Sequence, residues 1–135
     1  MYLSMFIPGD PVPQPRPRIT VRGKHGKAYV PRDHAIHEWR AKVREWMEQS
    51  VPPGQAFPVS GVGLHVMMAF HLRKPKSNRK RLPISRPDLD NLAKAVLDAG
   101  NGVIWSDDSQ VTTVVMNKRW HDKPGVWLEI SEDTE

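Results

Sequence analysis

The sequence predicts an α+β fold: a mixed β-sheet with two main helices packed on it. Three observations lead there. Apolar residues alternate with period two in several short runs, which is strand periodicity. Two other segments repeat apolar residues at spacings of three and four, which marks one face of a helix. The order is roughly β-loop-α-β-loop-α-β-β, with no internal repeat, and strands and helices mixed this way favour α+β. The 135 residues are expected to form a single domain spanning 1–135, long enough for one hydrophobic core without disulfides.

The elements follow in order. Tyr2 to Ile7, YLSMFI, reads as a first strand that stops at Pro8-Gly9. Four prolines between Pro11 and Pro17 then forbid a helix and disfavour a central strand. This is a basic loop, with a short ribbon expected from Ile19–Val21 against Ala28–Val30. From about Arg32 to Ser50, Ile36, Trp39, Val43, Trp46 and Met47 form one apolar stripe, so both tryptophans are expected in the core. Asp33 is a candidate cap for that helix, and Pro52, Pro53 and Gly54 end it. Val62 to Leu72 alternates as a strand, and residues 73–87 form a second basic, proline-punctuated loop. Leu89, Leu92, Ala93, Val96 and Leu97 anchor a second helix ending near Gly100, followed by an Asn101-Gly102 turn. Val111 to Trp120 and Val126 to Ile130 read as the last two strands, joined by a turn around Asp122 to Gly125.

Composition narrows the function classes. The absence of cysteine excludes a thiol nucleophile, a disulfide scaffold and a cysteine-ligated metal; it fits a reducing compartment, and a cytoplasmic location is expected. No apolar run reaches the roughly 18 residues of a membrane span, and Met1 to Gly9 does not read as a signal peptide. Net charge is +5. The bases are clustered: Arg16, Arg18, Arg22, Lys24 and Lys27 in one loop, and Arg73, Lys74, Lys76, Arg79, Lys80, Arg81 and Arg86 in the other. Such clustering points to a polyanion-binding surface, with nucleic acid favoured over a merely solvated face. The six histidines show no ligand-type spacing; His34 and His37 are three apart on a helix but lack a third partner.

Chemistry concentrates in PDLDNLAKAVLD, Pro87 to Asp98. Pro87 keeps Arg86 out of helical geometry, so a helix starts here. If Asp88 is still extended it points to the same side as Asp90. Asp90 and Lys94 are four apart and share a helix face, as do Lys94 and Asp98. A second acidic pair, Asp107-Asp108, precedes a strand in WSDDSQV. Mg²⁺ prefers several carboxylates and water, and a nearby lysine stabilises charge on a phosphate. Each pair also has an ordinary explanation: acids cap helices and favour their N-termini, and DD before a strand is a common turn. Local spacing does not choose between Asp107 and Asp108.

These residues resemble the RusA family of Holliday junction resolvases, common in phages and prophages. The match is RPDLDNLAKAVLDA followed by WSDDSQV, supported by the opening FIPGDPVPQPRPR, and it covers most of the chain in the same order. The resemblance implies a dimeric endonuclease that cuts four-way junctions or other branched DNA with Mg²⁺, Mn²⁺ being an alternative. It places the three essential acids, as metal ligands, on Asp88, Asp90 and Asp108, and the important lysine on Lys94. Asn91 and Asp107 match as supporting residues. One departure is Gly100, where many relatives carry an apolar residue, so a shortened helix is expected. Competing expectations are a nuclease of the same fold acting on flaps, forks or duplex, and a non-catalytic basic nucleic-acid-binding module.

Overall fold

A computed structural model describes residues 2–23, 25–32 and 34–134, with the backbone alone for Arg18, Thr20, Arg22 and His25. The alternation from Leu64 makes strand β4 in the strict sense (numbering strands along the chain): Leu64, Val66, Met68, Phe70 and Leu72 are all buried, and the residues between them are half-buried. The other strands are β1 (Tyr2–Pro8), β2 (Arg18–Arg22), β3 (His25–Tyr29), β5 (Val111–Trp120) and β6 (Gly125–Glu132). The helices are α1 (Ala35–Ser50) and α2 (Leu89–Ala99), and a 3-10 turn at Asp108–Gln110 leads into β5.

Four strands form one mixed sheet in the order β1-β6-β4-β5. β6 runs antiparallel to both β1 and β4, whereas β5 is parallel to β4. The parallel pair needs a long crossover, and α2 supplies it between β4 and β5. This is the expected mixed sheet with two helices. The basic ribbon is also present but shifted: β2 and β3 pair antiparallel as a separate hairpin, with Ile19 opposite Ala28 and Val21 opposite Gly26, so Ile19–Val21 lie against Gly26–Ala28 and not Ala28–Val30.

The core lies between the helices and one sheet face. Ile36, Trp39, Val43 and Met47 of α1 meet Leu92, Ala93, Ala95, Val96 and Ala99 of α2, together with Leu3, Met5 and Ile7 of β1 and Val126, Leu128 and Ile130 of β6. Trp46 corrects the sequence reading: it is 38% exposed, because it sits at the margin of the α1 stripe, beside the fully buried Val43 and Met47. Asp33, the expected cap of α1, lies outside the described residues. The position before the helix is held by His34, whose Nδ1 accepts from the Ile36 amide at 3.0 Å.

α2 ends where expected, but Gly100 is not needed for its backbone, which is right-handed there (φ −79°). It is needed for space. A Cβ at this position would fall 2.4 Å from the Trp105 ring. The left-handed residue of the turn is Gly102, at φ +76°. The segment Val103–Trp105, which periodicity did not single out, folds into the core beside it.

Candidate active site

The first acidic pair sits as the sequence argument required. Asp88 is the N-cap of α2 and remains extended (φ −71°, ψ 138°). Its carbonyl accepts the Leu92 amide at 3.1 Å, the first bond of the helix. Its carboxylate makes no capping hydrogen bond. An ordinary N-cap aspartate accepts an amide from the first turn, so this side chain is uncommitted. Asp90, in the first turn, is exposed, and its Oδ1 accepts the Asn91 amide at 3.0 Å. Lys94 lies one turn on, with Nζ 3.7 Å from Asp98 Oδ2. The polar row therefore borders the buried face of α2 without entering it.

The proline-rich loop after β1 closes over this helix start. The Gln14 amide donates to the Asn91 carbonyl at 2.9 Å. Between loop and helix lies an open groove of about 550 Å³, lined by Gln14, Arg16, Arg86, Asp88 and Asn91 among others. Two guanidinium-bearing residues thus border the groove that holds Asp88. Arg16, Lys27, Arg73, Lys74, Lys76, Arg79, Lys80, Arg81 and Arg86 are all exposed, as phosphate-binding residues must be. Arg73 is also 3.7 Å from Asp10. Lys24 and the side chains of Arg18 and Arg22 lie outside what is described.

The second acidic pair is built differently. Trp105 anchors it: the buried indole donates from Nε1 to the Leu97 carbonyl (3.2 Å) and to Asn101 Oδ1 (3.1 Å), at the far end of α2. Asp107 then caps the 3-10 turn, accepting the Ser109 amide at 3.1 Å. Gln110 reaches back to the Ser106 and Asp107 amides, completing a capping box. The bonds from Ser109 hold the Asp107 carboxyl below its ordinary pKa. Asp108, the next residue, is half-buried and takes no part in that box. The structure thus separates two acids that local sequence could not: Asp107 is occupied in shaping the turn.

The two pairs do not meet within one chain. Among the described residues, no three histidine or acidic side chains gather closely enough to hold a metal. Strand β5 explains the gap. Asp108 precedes its first residue, and Asp88 follows Pro87, whose carbonyl is bonded to Lys118 near the strand's other end. The strand from Val111 to Lys118 spans roughly 23 Å at the usual rise.

The donors on β5 were not foreseen from sequence. Lys118 Nζ donates to the carbonyls of Ser85 and Pro87, both at 2.8 Å. Trp120 Nε1 donates to the Lys80 carbonyl at 3.0 Å. The only signal was a lysine and a tryptophan ending an apolar strand, which does not say what they reach.

Known proteins resemble this chain over nearly its whole length. The family model Endodeoxyribonuclease RusA matches residues 8–131. The chain belongs to the RusA family. It is also similar to a protein of Bacillus subtilis (strain 168), "Uncharacterized protein YqaN", with 31% identity over 140 residues and 96% of each chain covered. RusA membership implies endodeoxyribonuclease activity and a DNA substrate. The RusA match spans the groove, both acidic pairs and both basic loops. No helix among the described residues is long and apolar enough to cross a membrane.

Proposed function

We propose that this chain is a Holliday junction-resolving endonuclease: a two-fold homodimer that hydrolyses phosphodiester bonds in four-way or otherwise branched DNA, with Mg²⁺ or Mn²⁺ held by Asp88, Asp90 and Asp108. One observation carries the reading: in a RusA-family chain, the motif acid at the start of α2 caps nothing and faces a groove bordered by arginines. The donor set fits the ion in kind, since hard cations prefer carboxylate oxygens and water. When bound, the cation supplies Lewis-acid polarisation of a phosphoryl oxygen and a lowered pKa for water.

The chain's own residues do the rest. Arg16 and Arg86 hold the DNA backbone at the groove, where such contacts position without reading sequence. Asp88 and Asp90 keep negative charge at one point, and Lys94 offsets charge on the phosphate. Asn91 orders the Pro/Arg loop through its carbonyl.

A dimer also answers the separation of the acids. β5 is an edge strand with Val114, Val115 and Met116 exposed, Val115 by 50%. Long apolar edges invite pairing. Antiparallel pairing of β5 with a second copy about a two-fold axis sets the start of one strand beside the end of the other. Asp108 of one chain then approaches Asp88 and Asp90 of its partner, and two equivalent sites arise for two cuts.

The decisive experiment incubates the protein with a labelled four-way junction and a matched duplex, with Mg²⁺ or with EDTA. Paired, metal-dependent nicks in the junction alone are expected. Equal cutting of flaps, forks or duplex moves the substrate to those forms. The dispersal of the acids in one chain favours a second reading, a non-catalytic binding module. Junction binding without cleavage in any metal would establish it.

A further inference from the structure

We propose that Lys118 is a positioning residue for the acidic site: its ammonium fixes the backbone that aims Asp88. The inference rests on the nuclease reading above and adds a residue outside the motif. The Asp88 carboxylate is not tethered by a cap bond, so its direction depends on where the backbone is held. That backbone arrives from a loop with few ties of its own. Among the described residues, its main-chain hydrogen bonds are Asn78 to Pro75 and Ile84 to Leu82, both short-range. Pro87 has no N–H to offer.

Lys118 fills this gap. It sits on β5 opposite Phe70, with its side chain on the helix-bearing face. Both bonded carbonyls, Ser85 and Pro87, flank Arg86, and the second belongs to the residue directly before Asp88. An ammonium has three donors, and this one commits two of them to the loop. Trp120, two residues on and on the same face, ties the loop again at Lys80. The sheet edge therefore dictates where α2 begins. A shift of about 1 Å at a reacting group costs on the order of 10²-fold in rate, so loss of this clamp acts on turnover and not on DNA affinity.

The test compares wild type with Lys118→Met, Lys118→Gln and Lys118→Arg. Amide hydrogen exchange and junction cleavage are measured on the same preparations, and junction binding is followed in Ca²⁺. Lys118→Met and Lys118→Gln are expected to speed exchange at residues 88–92 while β4 and β6 stay protected. Both should lower kcat on the order of 10²-fold, with junction Kd within about threefold. Lys118→Arg, which keeps the charge and the reach that the shorter, neutral Gln amide lacks, should recover a large part of both. Weakened binding with a salt slope reduced by about one would make Lys118 a phosphate contact and overturn the proposal. So would unchanged exchange at residues 88–92, or faster exchange with unchanged kcat. If the wild-type chain cuts no DNA, the nuclease reading fails. Exchange alone then decides whether Lys118 holds the start of α2.

Discussion

Asp88 and Asp107 occupy the same kind of place: each is the extended residue immediately before a helical segment, and each is followed by another acid in the first turn. They are used in opposite ways. Asp107 is bonded to the Ser109 amide and backed by Gln110, so its charge is committed to a local turn. Asp88 caps nothing, and its helix is held instead by Leu92, Asn91 and Lys118 through main-chain atoms. Building a turn with one acid and stabilising a helix start without the other leaves Asp88 uncommitted. Uncommitted carboxylates beside a basic groove suit a metal and a phosphate. A committed one suits a scaffold.

Substitutions break or sharpen that contrast. The largest effect is expected from Asp88→Asn and Asp90→Asn, which should abolish junction cleavage while leaving the melting temperature and junction binding nearly unchanged. Full cleavage by Asp90→Asn would remove this acid from the site. Next comes Gly100→Ala. The new methyl group meets the Trp105 ring, which anchors the Asp107 turn to α2. Overpacking of this kind costs about 1–3 kcal/mol, read as a lower urea midpoint with an unchanged slope. If Gly100→Ala is as stable as wild type, Trp105 has room that the packing does not show.

Asp107→Ala should be milder. It loses the capping box, so a drop of a few degrees in melting temperature is expected, with cleavage reduced less than by either Asp88→Asn or Asp90→Asn. Equal loss of cleavage would place Asp107 among the ligands and erase the contrast.

The smallest effect concerns pH and involves neither acidic pair. His71 stacks on His121 at 4.4 Å between ring centroids and lies 5.6 Å from Phe6. Burial, and secondarily the nearby His121, lower its pKa from 6.5. The unfolded chain therefore takes up this proton first as pH falls. The contribution to stability is complete above about pH 6.5 and declines as pH drops towards the lower folded value. Urea unfolding at successive pH values should show this slope in wild type and a shallower one in His71→Phe.

How much of this was legible in the sequence depends on the range of the interaction. Period-two and period-3.6 patterns are local, so β4 and both helices were readable to within about three residues. The extended state of Asp88 stayed open in the sequence, because Pro87 restricts Arg86 before it and not Asp88 after it. The exposure of Trp46 was not readable, because the burial of a residue at the stripe's margin depends on how far the helix overlies the sheet. The different surroundings of Asp107 and Asp108 were not either. They come from Gln110 folding back on the Asp107 cap, a contact of specific geometry that adjacent acids do not reveal.

By itself, the sequence determined the element types, the basic loops, the DLDN and DD motifs and the membership they signal. Only the tertiary structure decided that the two acidic pairs lie at opposite ends of β5, that Gly100 makes room for Trp105, and that Lys118 reaches the loop before Asp88. The reason is physical. Periodicity and turn chemistry act between neighbours along the chain, whereas which strand ends beside which loop is set by the parallel β4–β5 pairing and the α2 crossover that it requires.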